Sequence, residues 1–132
     1  MTLLDLSADD VLNTTRAVRK RLDFSRLVDD VLIRECVATA MQAPSGSNVM
    51  TMQFVVVKDP VMRQAIGEIY AQCWGVYSSL PVFAGAVSKD GDAEQAQQDR
   101  VVDSATYLSE HMADAPALVI GCTAGRVDGA RR

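Results

Sequence analysis

The sequence predicts a single domain of α/β (α+β) class, in which four helices accompany two apolar strands. With 132 residues, the chain is long enough for one ordinary domain and too short for two. Hydrophobic residues make up 48% of it and charged residues 23%, as in ordinary globular proteins. Helix-like and strand-like segments follow in the order helix, helix, strand, helix, helix, strand.

Two helices are predicted in the first third of the chain. The first is "SADDVLNTTRAVRKRL" (7–22), where Ser7 and Asp10 have the spacing of a capping box. The second is "VDDVLIRECVATAMQA" (28–43), ended by Pro44 and the glycine two residues later. Its expected apolar face consists of Val28, Leu32, Cys36, Ala40 and Ala43.

A strand and a third helix are predicted next. "FVVVKD" (54–59) is a short run rich in β-branched residues, which is typical of a buried strand. A helix is expected to begin near Pro60, because proline is favoured in the first helical turn and Asp59 precedes it. This helix continues through "VMRQAIGEIYAQCWGVY" (61–77).

A long helix and a second buried strand complete the predicted domain. "DAEQAQQDRVVDSATYLSEHMADA" (92–115) has the length and pattern of a helix, and "ALVIGCTA" (117–124) that of a strand. Two strands alone make a poor sheet, so either they pair side by side with helices on both faces or further strands are missing. We assign residues 1–124 to the domain and 125–132 to a polar tail.

Composition argues against several classes of protein. The net charge of −4 and the pI near 4.8 disfavour a nucleic-acid partner. No apolar run reaches the roughly 18 residues of a membrane span, and no signal peptide is recognisable at the N-terminus. Three separated cysteines and one histidine make a disulfide framework or a metal site improbable, which indicates reduced thiols in a cytoplasmic protein.

A basic segment follows the first predicted helix turns. "TRAVRKRLDFSR" (15–26) carries five cations within 11 residues, opposed only by Asp23. The cations are Arg16, Arg19, Lys20, Arg21 and Arg26. Guanidinium groups bind phosphate oxygens with two parallel hydrogen bonds, which favours an anion site. The alternative is a solvated basic face near a helix C-terminus, which the charges taken alone favour, because a run of charges usually lies on the surface.

The hexapeptide "APSGSN" (43–48) separates the second predicted helix from the first strand. Gly46 would let a ligand approach the backbone closely, and the neighbouring serines offer hydroxyl and N–H groups. The alternative is a loop that only ends a helix. It is not a phosphate-binding P-loop, because no Gly-Lys-Ser/Thr follows.

Together these segments resemble the nitroreductase family. "TRAVRKRL" (15–22) is similar to its "RRSVR"-like segment, and "APSGSNVMTMQFVVVKD" (43–59) to its "APS(G)SN-x-Q-P/G-W-x-F-x-x-V" pattern. "DSATYLSEHMADAPALVIGCTAGR" (103–126) resembles its long helix and next core strand. The resemblance covers nearly the whole chain and implies helices around a central sheet, with FMN held at a homodimer interface.

The resemblance implies cofactor-binding roles in both motifs. Arg19 matches the basic residue that binds the FMN phosphate, and Ala17 matches a position where a serine often assists. Thr15 stands where the family has its first arginine, so adjacent Arg16 is expected to take that role. Each charge-assisted hydrogen bond to the phosphate would contribute about 1.5–3 kcal/mol.

The second motif is implied to contact the flavin ring. Pro44, Ser45, Gly46 and Ser47 match the loop that touches the isoalloxazine ring from the opposite subunit, and Asn48 matches the asparagine that braces this loop. No catalytic side chain is implied, because the flavin carries the chemistry. The implied activity is NAD(P)H-dependent reduction of nitroaromatics or quinones, with a small-molecule acceptor and no nucleic-acid or membrane partner.

The sequence departs from the family pattern at two places. Met50, Thr51 and Met52 stand where the family has "Q-P/G-W", whose glutamine and tryptophan help to pack the loop. The family also continues beyond the "ALVIGC" strand, so a chain incomplete at its C-terminal side is expected. The alternative function is therefore a non-catalytic truncated fragment, acting as a dimerisation or binding module or persisting as a decayed gene product.

Overall fold

The computed structural model describes residues 5–125, in which six regular elements follow in the predicted order. They are α1 (Ala8–Thr14), α2 (Asp30–Ala40), β1 (Gln53–Val57), α3 (Pro60–Ser78), α4 (Asp92–His111) and β2 (Leu118–Cys122). Short 3-10 turns lie at Gly46–Asn48, Ala84–Ala86 and Met112–Asp114. The mixed α/β class is thus confirmed. Apart from Gly125, the predicted polar tail lies outside the described residues.

Helix α1 begins as predicted but ends earlier. Ser7 caps it through a reciprocal capping box with Asp10. The predicted continuation to residue 22 is wrong, because the backbone turns extended at Thr15, with φ −61° and ψ 124°. At this end of the helix, the hydroxyl groups of Thr14 and Thr15 donate to main-chain carbonyls one turn back, which weakens a helix slightly. The basic segment therefore lies outside any helix.

Helix α2 is shorter than predicted, and its inward side differs. Asp29 caps it by accepting from the backbone N–H of Val31 at 2.8 Å. Ile33 is the buried residue of this helix, whereas Leu32 on the predicted face is 50% exposed. The predicted face lines an open apolar cavity of about 340 Å³ instead of a closed core.

Helix α3 begins where the sequence predicts. Asp59 accepts from the backbone N–H of Met62 at 2.9 Å, and Pro60 is the first helical residue. The helix packs on α4 and on the turn that follows α4. At the closest approach, Gly67 faces Ala113 so tightly that an added Cβ would lie 2.8 Å from the Ala113 Cβ.

The two strands pair antiparallel, with Phe54 opposite Gly121 and Val55 opposite Ile120. Of the two arrangements that the sequence left open, the strands thus pair side by side. The prediction that the strands are buried is wrong. Val55 and Val56 point to opposite faces of the sheet and are 49% and 42% exposed, so neither face is fully covered.

The core of the described residues is small. Within residues 5–125, the fully buried residues are Ile33, Gly67 and Ser109. The accessible surface is 10738 Å² for a mass of 14.3 kDa, against roughly 6,800 Å² expected for a monomer of that mass. An isolated copy therefore leaves much apolar surface uncovered.

Two features were sought in the described residues: a helix that could span a membrane and a cluster of metal-ligating side chains. Between residues 5 and 125, none of the helices combines the length and hydropathy needed to cross a bilayer. In the same part of the chain, histidine, cysteine and acidic side chains do not gather in a group of three that could hold a metal ion.

Candidate functional site

The loop between α2 and β1 is a sequence of tight turns. After α2, the backbone N–H groups of Gln42 and Ala43 donate to carbonyls three residues back. Ser45 is extended, and the N–H of Asn48 then donates to the Ser45 carbonyl at 3.2 Å. A single 3-10 turn, Gly46–Asn48, therefore fixes the path of the segment that was predicted to contact a ligand.

The unusual backbone of this loop falls on Ser47 and Asn48. Their φ angles are 54° and 55°, which lie in the left-handed region. Glycine adopts this region readily and asparagine tolerates it, whereas serine rarely does. Such conformations cost about 1–3 kcal/mol and cluster at functional sites. Gly46 itself does not use this region, but an added Cβ there would meet no atom within 4 Å. The space above Gly46 is open to a ligand or a partner chain.

A cavity of about 270 Å³ lies against the same loop. Pro44, Ser45 and Gly46 line one part of it, and Met50 and Met52 line another. The remaining lining residues are Ala40, Met41, Ala43, Val49, Thr51 and Phe54. Apart from Phe54, its walls are mostly small or flexible side chains, and its volume is just below the roughly 300–1,000 Å³ of complete ligand pockets.

The basic segment forms a separate turn. The N–H of Leu22 donates to the carbonyl of Arg19 at 3.3 Å, which closes the turn around Lys20 and Arg21. Arg19 is half-buried, whereas Ala17, like Arg16, is exposed. The Nη1 of Arg16 donates to the adjacent Thr15 carbonyl at 2.7 Å.

Charges in this segment are mostly uncompensated. Among the ion pairs of residues 5–125, Lys20 pairs with Asp103, and none of the pairs includes Arg16, Arg19, Arg21 or Arg26. Asp23 is engaged locally, because the Ser25 hydroxyl and then the Ser25 backbone N–H donate to it and hold its pKa below the ordinary 3.8. The arginines therefore retain free hydrogen-bonding capacity for an anion.

The structure brings some of the predicted site residues together and leaves others apart. Pro44, Ser45 and Gly46 share one cavity, and Ser47 and Asn48 shape its turn without lining it. The predicted phosphate-binding residues, Arg16, Ala17 and Arg19, do not line that cavity. Within one copy of the chain, the loop that was predicted to contact the flavin ring and the basic segment therefore do not line a common cavity.

Sequence reasoning missed the residues that hold the basic segment against the body of the protein. Lys20 contacts Asp103 at 2.5 Å, and Phe24 stacks on Tyr107 and His111. Lys20 and Asp103 are 83 residues apart in the sequence. The spacing of Asp103, Tyr107 and His111 places them on one face of a helix, which is the only signal the sequence contains.

Comparison with known proteins adds the family. The model of the nitroreductase family matches residues 12–132, that is 121 of the 132 residues, and so includes the basic segment and the loop. Neither curated proteins nor solved structures give a match. The resemblance read from the two motifs is thereby confirmed. The chain belongs to the nitroreductase family of oxidoreductases, whose members generally depend on a flavin.

Proposed function

We propose that this chain is an FMN-binding, NAD(P)H-dependent oxidoreductase of the cytoplasm that reduces nitroaromatics or quinones. The family match carries the proposal, because it spans both the basic segment and the loop 43–48. Two features of the described residues support it: arginines of the basic segment that form no ion pair there, and a cavity lined mostly by small side chains. FMN has a dianionic phosphate and a flat apolar ring, which are the two chemical groups that such features suit.

The arginines hold the phosphate in this proposal. Arg19 is half-buried and lies in a closed turn, so less side-chain freedom is lost when it binds. Arg16 lies three residues earlier and is exposed, with the rest of its guanidinium free to donate. Ala17 leaves space beside them and supplies no hydroxyl group, so the two guanidinium groups carry the phosphate contacts.

The loop orients the ring in this proposal. Open space above Gly46 lets a flat ring approach the backbone, and the hydroxyl of Ser45 lies at the cavity wall. The left-handed turn at Ser47 and Asn48 keeps this surface in one conformation. Bound FMN would accept a hydride from the nicotinamide and pass electrons to the acceptor. The residues of the chain bind, orient and shield it.

A homodimer completes the site. The cavity of about 270 Å³ is smaller than a full ligand pocket, and the basic segment does not line it. A second copy would bring its loop to the first copy's arginines and cover apolar surface that one copy leaves exposed.

A titration of the purified chain with FMN, followed by flavin fluorescence, tests this function. We expect Arg19→Ala to weaken binding about 10–100-fold, because each 1.4 kcal/mol is a factor of ten. Arg21→Ala is the matched control, since it removes the same charge from an exposed neighbour and should change the affinity less than threefold at 0.15 M salt. Glu94→Ala, on the surface of α4, should leave binding unchanged.

A second candidate function is a non-catalytic dimerisation or binding module. The large accessible surface favours it, because a chain with so much uncovered apolar area needs a protein partner whether or not it binds a flavin. Colour and turnover distinguish the two functions. Yellow protein that oxidises NADH in the presence of a nitroaromatic supports the enzyme, and colourless protein that remains inactive with added FMN supports the module.

A further inference from the structure

One face of α4 forms a row of side chains directed at the basic segment. Asp103, Tyr107 and His111 follow one another at four-residue spacing, so they lie above each other on the helix. Each of them contacts a residue between positions 20 and 24. We call these three residues the α4 row.

The first contacts of the row are electrostatic. Lys20 Nζ lies 2.5 Å from Asp103 Oδ2 and 5.7 Å from the centre of the Tyr107 ring. Both partners of the ion pair are about half exposed, so the pair alone contributes little to stability. The ion pair instead fixes the position of the turn, because Lys20 lies in the middle of it, between Arg19 and Leu22.

The second set of contacts is aromatic. Phe24 stacks nearly parallel to Tyr107, with ring centres 6.5 Å apart, and to His111 at 6.0 Å. Tyr107 and His111 pack on each other at 4.2 Å. His111 Nδ1 is in turn 2.7 Å from Asp114 Oδ2, which fixes the orientation of the imidazole ring. Phe24 is half-buried in this stack.

These contacts hold the segment at Lys20, directly after Arg19, and again at Phe24. The segment has no helical or strand hydrogen bonds of its own, so without the row it would sample many conformations. We propose that the α4 row is a positioning element, which presents the side chain of Arg19 for an anionic ligand. This inference rests on the proposed function for the identity of that ligand, the FMN phosphate, and none of the row residues touches the ligand itself.

Charge reversal tests the positioning role through binding. We expect Lys20→Glu and Asp103→Lys each to weaken FMN binding about three- to tenfold, because an unfixed segment must be ordered on binding. The double variant, which restores the pair with opposite polarity and the original net charge, should return to within twofold of wild type. Glu94→Lys, nine residues before Asp103 and therefore on the opposite face of α4, makes the same charge change away from the row and should leave the affinity unaltered.

Proteolysis tests the anchoring without any cofactor. Trypsin cleaves after Arg19, Lys20 and Arg21, and cleavage requires a locally unfolded segment. Tyr107→Ala, which removes the stack on Phe24, should accelerate cleavage at these sites about tenfold, as measured by mass spectrometry. Asp103→Asn, which removes only the half-exposed ion pair, should accelerate it about two- to fivefold. Tyr107→Phe keeps the ring and should cleave at the wild-type rate. Circular dichroism at the assay temperature shows whether Tyr107→Ala has unfolded as a whole. If it has, the cleavage rate of Asp103→Asn is the test of the anchoring.

The outcomes separate the two ideas. A wild-type chain that does not bind FMN overturns the proposed function, and the positioning role with it, while accelerated cleavage in Asp103→Asn would still establish the anchor. Normal FMN affinity in Asp103→Lys, or a double variant as weak as Lys20→Glu, overturns the positioning role alone. Unchanged cleavage in both Asp103→Asn and Tyr107→Ala overturns the anchor.

Discussion

The same substitution, glycine to alanine, should have opposite effects at two positions of α3. Gly67 and Gly75 both lie within the helix, so both lose about 0.5–1 kcal/mol relative to alanine through backbone entropy and exposure. At Gly75 an added Cβ meets no atom within 4 Å. Gly75→Ala should therefore raise the free energy of unfolding by about that amount.

At Gly67 the added methyl group has no room. It would lie 2.8 Å from the Cβ of Ala113, 3.1 Å from its backbone nitrogen and 3.3 Å from its Cα. These atoms belong to the main chain or directly adjoin it, so no side-chain rotation relieves the clash. Overpacking costs about 1–3 kcal/mol, which outweighs the gain in helix propensity. Gly67→Ala should therefore lose about 1 kcal/mol.

Urea and thermal unfolding of the two variants against wild type measure this difference. A change of 1 kcal/mol corresponds to a Tm shift of about 4 °C for a domain of this size. Tm should fall for Gly67→Ala and rise for Gly75→Ala, with equal urea m-values. If both variants gain stability equally, α3 does not approach the turn after α4 as closely as described, and the reasoning is refuted.

Three further predictions concern a cap, an ion pair and a strained residue. Asp59→Ala should lower the unfolding free energy by about 1 kcal/mol while Asp59→Asn, which still caps Met62, should not; equal losses in urea unfolding would contradict the cap. The hydrogen bond from Lys58 holds the pKa of Asp30 below 3.8, so the pair stabilises the fold at neutral pH and stops doing so as pH falls through that lowered pKa. Asp30→Asn should thus reduce Tm at pH 7, with a deficit that narrows below pH 3.8; a deficit independent of pH would exclude the pair as its cause. Ser47→Gly should gain up to about 1 kcal/mol by relieving a left-handed backbone, and Ser47→Val should lose stability, with thermal unfolding as the assay for both; the reverse order would exclude the strain.

Local signals predicted local structure well. Ser7 with Asp10, and Asp59 with Pro60, act over three or four residues, and both helix starts lie where these signals place them. The end of α1 was not predicted, because arginine and lysine are good helix formers. The helix ends instead at two consecutive threonines, β-branched residues of lower helix propensity whose hydroxyl groups bond to the backbone.

Contacts between residues far apart in the chain could not be predicted from the sequence. Nothing near Lys20 indicates a partner at Asp103, and the stack of Phe24 on Tyr107 likewise depends on how the chain folds back. Strand burial was overestimated, since a β-branched run reports strand propensity and says nothing of what covers the strand. The loop 43–48 was located correctly, but its left-handed backbone falls on Ser47, where no residue preference indicates it.

Arg63 links α3 to the segment that leads from the turn after α4 into β2. Its Nη1 donates to the carbonyls of Ala113 and Ala115, at 2.8 and 2.5 Å, just before β2 begins. A helix that frays at this point would release the strand's leading end, and β2 could then slide or detach from β1. Amide hydrogens of α3 and of both strands should accordingly exchange with solvent as one cooperative unit, at a common rate slower than that of α1.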